Sequence, residues 1–124
     1  MAQITVTDLS TYPVVAGDDW SQQVTLSAAG SALNLTSGTV TCSIYDERDQ
    51  ANAIISAHSV TLTTPSTGIV TVTLTDTQTA TLHYKRNDRS KGVYHILDFK
   101  FVASGGNITR PDPYRILVRG PLTA

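Results

Sequence analysis

The sequence predicts an all-β chain, an immunoglobulin-like β-sandwich of about seven to eight antiparallel strands with at most one short helical turn. Three observations predict it. Apolar residues recur at i, i+2 in short runs: Val24 and Leu26, then Val40, Cys42 and Ile44, then Val70, Val72 and Leu74, then Ile116 and Val118. That period places each run on one face of a pleated strand. Gly, Pro and Asn separate the runs at a spacing of roughly ten residues, as turns between short strands do. The one helix candidate is a single turn, too short to be stable except by packing. With 124 residues the chain reads as a single domain, 1–124, long enough to bury a shared core without staples.

The elements follow in order. Gln3 to Asp8 is the first strand candidate, and Pro13 and Gly17 break the ladder after it. Asp18-Asp19 turns the chain into Trp20 to Ser27, where Trp20, Gln22, Val24 and Leu26 share a side and the single tryptophan plugs one end of the core. A turn around Gly30 precedes the short apolar segment Leu33 to Leu35, which leads into the strand Thr39 to Tyr45. Asp46 to Gln50 reads as a solvated polar turn. Between Ala53 and Thr63 the apolar phase shifts between Ile55 and Val60, compatible with one bent strand or two short ones. Pro65-Ser66-Thr67-Gly68 is a turn, and the β-branched run Ile69 to Leu74 is the clearest strand. Thr75 or Asp76 can cap a helical turn that carries Ala80 and Leu82 inward. Tyr84 to Gly92 is a polar loop, and Val93 to Val102 is apolar in both phases, so that strand is central or covers a partner. Ser104-Gly105-Gly106-Asn107 has hairpin chemistry. Pro111 and Pro113 interrupt the return, which carries a bulge or begins properly only at Tyr114.

Composition narrows the function classes. A net charge of -1, with 15% charged residues, provides no field for gathering nucleic acid or an anionic membrane surface. Cys42 is the only cysteine, which excludes an intramolecular disulfide and argues for a reducing site of synthesis. The N-terminus has no signal-peptide pattern and no stretch approaches membrane-spanning length, so the expectation is a soluble chain that is not secreted by an ordinary signal.

No catalytic constellation stands out. His58, His83 and His95 suggest a metal site with Asp98, but His95 and Asp98 are three apart on one strand and point to opposite faces. Asp46, Glu47 and Asp49 lack EF-hand spacing. There is no Gly-x-Ser-x-Gly elbow and no phosphate-binding glycine loop. The expectation is therefore a non-enzymatic protein with no catalytic residues, cofactor or metal.

Three stretches resemble the immunoglobulin-like domains of tailed-bacteriophage structural proteins, such as the N-terminal domain of baseplate upper proteins and fibre-attachment modules. They are Gly17 to Leu26 with Leu33 to Val40, Gly68 to Leu82, and Gly92-Val93-Tyr94-His95-Ile96-Leu97-Asp98 with the Gly105-Gly106 hairpin. The resemblance implies a virion component made in the host cytoplasm, non-enzymatic and engaged with other phage structural proteins or further copies of itself. In baseplate proteins this domain precedes others, whereas this sequence ends at Ala124, which favours a capsid decoration (cement) protein or a neck, tail or baseplate connector. The expected partner-binding residues are Ile4, Val6, Tyr84, Lys85, Arg86, Arg89, Pro111 and Tyr114, on an uncovered N-terminal edge, a basic loop and a proline hinge. The alternative is a carbohydrate-binding sandwich, which the 6% aromatic content makes the second choice.

Overall fold

The computed structural model describes residues 7–8, 14–28, 31–84 and 92–120. These form an all-β sandwich, as the periodicity predicts. Its first sheet contains β1 (Thr7–Asp8), β2 (Val14–Val15), β6 (Thr39–Asp46), β7 (Ile55–Ser59), β10 (Val93–Val102), β11 (Ile108–Thr109) and β12 (Tyr114–Arg119). The order across it is β1, β12, β10, β6, β7, with β2 also on β12 and β11 on β10. The second sheet is β3 (Trp20–Thr25), β9 (Ile69–Leu74) and β8 (Thr61–Thr64), in that order. A small hairpin pairs β4 (Ser27–Ala28) with β5 (Ser31–Ala32).

The inward positions are those the alternation picks out. Val40, Cys42 and Ile44 of β6, Leu97 and Phe99 of β10, and Ile116 and Val118 of β12 meet Val24 of β3 and Val70, Val72 and Leu74 of β9 in one buried cluster. Burying such side chains is the main favourable term in folding, at about 25 cal/mol per Å² of apolar surface. The doubly apolar β10 is central, paired with β12 on one side and β6 on the other.

Several details depart from the sequence reading. Not every neighbour is antiparallel, because β1 and β2 both run parallel to β12. The first and last of the described strands thus lie together at one side of the sheet, and Pro13, which has no N–H for a ladder, lies in sequence between the two short pieces β1 and β2. The ambiguous segment resolves into two strands in different sheets. β7 pairs with β6, β8 pairs with β9, and the chain crosses over at Val60, whose N–H reaches the Val40 carbonyl at 3.3 Å. The phase shift in the sequence marks that crossing. After the hairpin the register on β10 slips by one residue between β11 and β12, where Arg110 to Pro113 lie outside the ladder, as the two prolines imply, and Asp112 N–H bonds the Ser27 carbonyl at 2.7 Å instead.

The helical turn is α1 (Asp76–Thr79), closed by a capping box in which Gln78 N–H donates to Thr75 Oγ1 and Thr75 N–H donates to Gln78 Oε1. Leu82 is buried behind it, but Ala80 is exposed, contrary to expectation. The hydroxyl of buried Thr79 donates to the Asp18 carbonyl at 2.7 Å and accepts from Gly17 N–H at 3.0 Å, which pins α1 to the turn before β3.

Two predictions arise from the core. Gly68 ends the Pro65–Thr67 turn at φ +79°, and a Cβ there would stand 2.8 Å from both the Leu26 and Leu33 carbonyl oxygens. Left-handed strain adds to that clash, so Gly68→Ala is expected to cost about 2–3 kcal/mol in urea unfolding. A smaller loss than about 1 kcal/mol would mean that the β4–β5 segment yields easily. Burial, helped by the charge of Asp98, pushes the Cys42 thiol up to about 12. Native protein at pH 8 is therefore expected to resist a thiol reagent that labels Cys42 within minutes once urea is added.

Candidate metal centre

The same alternation that builds the core leads to a polar cluster at its end. Continuing Val40, Cys42 and Ile44 by one more step puts Asp46 on the inward face, and it is only 3% exposed. Directly across the ladder, in register with Asp46, stands His95 of β10, which is fully buried. His83 arrives from the segment after α1, held in place by the buried Leu82 beside it. One ligand atom from each of Asp46, His83 and His95 lies within 4.8 Å of the others.

The hydrogen bonds fix the chemical state of the two buried members, His95 and Asp46. His83 N–H donates to His95 Nε2 at 3.2 Å, so that nitrogen carries no proton and presents its lone pair to the cluster. The other nitrogen, Nδ1, therefore bears the hydrogen and donates to the Val93 carbonyl at 3.0 Å. Burial holds the His95 imidazolium below its ordinary range, which keeps the ring neutral. Asp46 is the opposite case. Its Oδ1 accepts from Arg48 N–H at 2.9 Å and Arg48 Nε at 3.0 Å, and its Oδ2 accepts from Arg48 Nη2 at 2.7 Å and His83 Nδ1 at 2.8 Å. The hydrogen-bonded Arg48 guanidinium, with further help from His83, outweighs desolvation and keeps this carboxyl ionised far below the usual range. The His83 and His95 rings meet edge to face, 5.9 Å between centroids.

The arrangement thus has two buried donors already in the protonation state a cation needs, and a third that connects them to solvent, since the His83 side chain is about half exposed. A ligating histidine held by a second hydrogen bond to a backbone carbonyl is the outer-shell geometry that fixes tautomer and ring orientation at metal sites.

The acidic turn was expected to be solvated, yet Asp46 is buried because it is the last inward residue of β6, not the first of the turn. Asp98 does face away from His95, as the strand period requires, and stands 3.7 Å from Arg110 on the other face of β10. His58 is also apart from the cluster. Its Nε2 bonds the Thr73 carbonyl at 2.7 Å, bridging β7 to β9.

Of the expected partner-binding residues, Ile4, Val6, Lys85, Arg86 and Arg89 lie outside the described residues. Tyr84 is half-buried against the core and Pro111 is buried. Tyr114 stacks edge to face on Phe99 at 6.0 Å, and its hydroxyl donates to the Thr25 carbonyl, tying the last strand to β3.

No family model matches the chain, and no curated protein matches it. Among solved structures it is similar to CopC from Methylosinus trichosporium OB3b, with 11% identity and a TM-score of 0.46, over 96% of this chain and 88% of that one. The expected resemblance to phage structural domains is corrected accordingly: a solved structure similar to this chain is CopC, not a virion module. The capsid-decoration or connector role and the virion location are withdrawn with it. The carbohydrate-binding alternative is withdrawn too, and Trp20 packs partly buried against the core.

Proposed function

We propose that this sandwich binds a borderline divalent metal ion, Zn²⁺ or Cu²⁺, through Asp46, His83 and His95, as a binding protein and not an enzyme. The observation that carries the reading is the convergence of the three donors, two of them buried, with His95 Nε2 carrying no proton and within 4.8 Å of the other two ligand atoms. Two imidazoles and one carboxylate suit these ions better than Ca²⁺ or Mg²⁺, which prefer all-oxygen shells. A tetrahedral site with bonds of about 2.0–2.2 Å spaces its donors roughly 3.4 Å apart. His83, on an exposed segment, supplies the small contraction that such an ion requires. The ion replaces the Nδ1 proton of His83 and the hydrogen bond between His83 N–H and His95 Nε2.

Calorimetric titration of the purified chain with Zn²⁺ tests this directly. The expected result is saturable 1:1 binding that His95→Ala and His83→Ala each weaken by at least about 100-fold. Binding should also raise the unfolding free energy, by about 2.7 kcal/mol when free metal is 100 times Kd. Absence of saturable binding, or binding by both variants as tight as that of the unmodified chain, would overturn the reading.

A further inference from the structure

We propose that Arg48 is a displaceable latch on this site, a residue whose charge sets the metal affinity. The inference rests on the metal-binding reading above. A carboxylate offers about four lone-pair positions, and in Asp46 all four are filled, three of them by Arg48. The turn geometry produces this: Asp49 N–H bonds the Asp46 carbonyl at 2.9 Å, so the residue two beyond Asp46 folds its backbone N–H and its guanidinium back onto the carboxylate. Loss of the His83 proton frees one position on Oδ2. Arg48 Nη2 remains 2.7 Å from that same oxygen, so an entering divalent ion would share Oδ2 with a guanidinium.

Two like charges on one oxygen oppose each other, most strongly where one side is buried. The Arg48 side chain is 66% exposed, while the Asp46 side chain is 5% exposed, so the guanidinium and not the carboxylate is the partner able to leave. A surface depression lined by Glu47, Arg48, Gly92, Val93 and Tyr94 lies beside it and gives the departing side chain room. Metal entry and the Arg48 ion pair are therefore competing occupants of Asp46.

The test compares Zn²⁺ affinity by calorimetry for the wild-type chain, Arg48→Gln and Arg48→Lys, each first checked for native unfolding behaviour. Arg48→Gln removes the charge and is expected to bind at least about tenfold more tightly, while Arg48→Lys, which keeps the charge but loses the two-pronged contact, is expected to gain clearly less. Unchanged or weaker binding by Arg48→Gln overturns the latch, as does equal tightening by Arg48→Lys. If the wild type and both variants fail to bind Zn²⁺, the metal-binding reading itself fails and the latch falls with it.

Discussion

Truncation of Phe99 to alanine is expected to lower the unfolding free energy by about 3–5 kcal/mol, a large share of the roughly 5–15 kcal/mol that holds a domain of this size. Phe99 is fully buried at the middle of β10, the strand to which both β6 and β12 are paired, and its ring meets Tyr114 edge to face. Removing it takes away a large apolar surface and leaves a cavity where the two sheets meet. Phe99→Leu keeps most of the volume and should lose about 1.5 kcal/mol or less. Urea unfolding distinguishes them: the midpoint should fall in that order with the slope unchanged. Similar small losses for both would mean that the core centre lies elsewhere.

The second large effect is expected at Asp46. Asp46→Asn keeps the shape but replaces one accepting oxygen with an NH₂ group, which then faces donors from Arg48 or His83. Leaving such groups unsatisfied in a buried site should cost about 2–3 kcal/mol near neutral pH. The sign of the pH dependence follows from the direction of the shift. The folded-state carboxyl titrates below the ordinary value of 3.8, so between those points the unfolded chain holds the extra proton. Acid therefore favours unfolding there, and the contribution present above pH 3.8 disappears as pH falls through the folded value. The gap in thermal stability between wild type and Asp46→Asn should be full near pH 6 and narrow steadily below pH 3.8. A gap independent of pH would mean that the lost stability comes from packing and not from the charge. The same variant should lose at least about 100-fold in Zn²⁺ affinity, because an amide oxygen is a poor ligand for this ion.

These two residues also show what the sequence made legible. Phe99 and its neighbours could be read directly, since alternation on a strand follows from pleat geometry and needs no knowledge of the partner strand. Asp46 obeys the same rule. Its position at i+2 from Ile44 carried the signal, but the charged run Asp46 to Gln50 looks like a turn, and turn composition outweighed period at the strand end. The association of Asp46 with His95 was not readable at all, because it depends on the β6–β10 register, a pairing of residues 49 apart in sequence. His83 was a metal candidate by residue type, but its approach to Asp46 was not readable: it is placed by a four-residue helical turn and the burial of Leu82, neither of which says where a neighbouring ring will point. The parallel pairing of β1 and β2 with β12 is likewise a property of chain ends meeting in space.

Metal ligation by His83 and His95 is read out residue by residue in a long-range ¹H–¹⁵N spectrum of the histidine rings recorded during Zn²⁺ titration, since it reports each ring nitrogen separately. In the metal-free protein His95 is expected to show a protonated Nδ1 and an unprotonated Nε2, as its bonds to Val93 and His83 require. On titration, His95 Nε2 and a His83 nitrogen should shift together and saturate at one equivalent, while His58 stays in place. Shifts confined to His58, or no saturation at His95 Nε2, would mean that this cluster does not hold the ion.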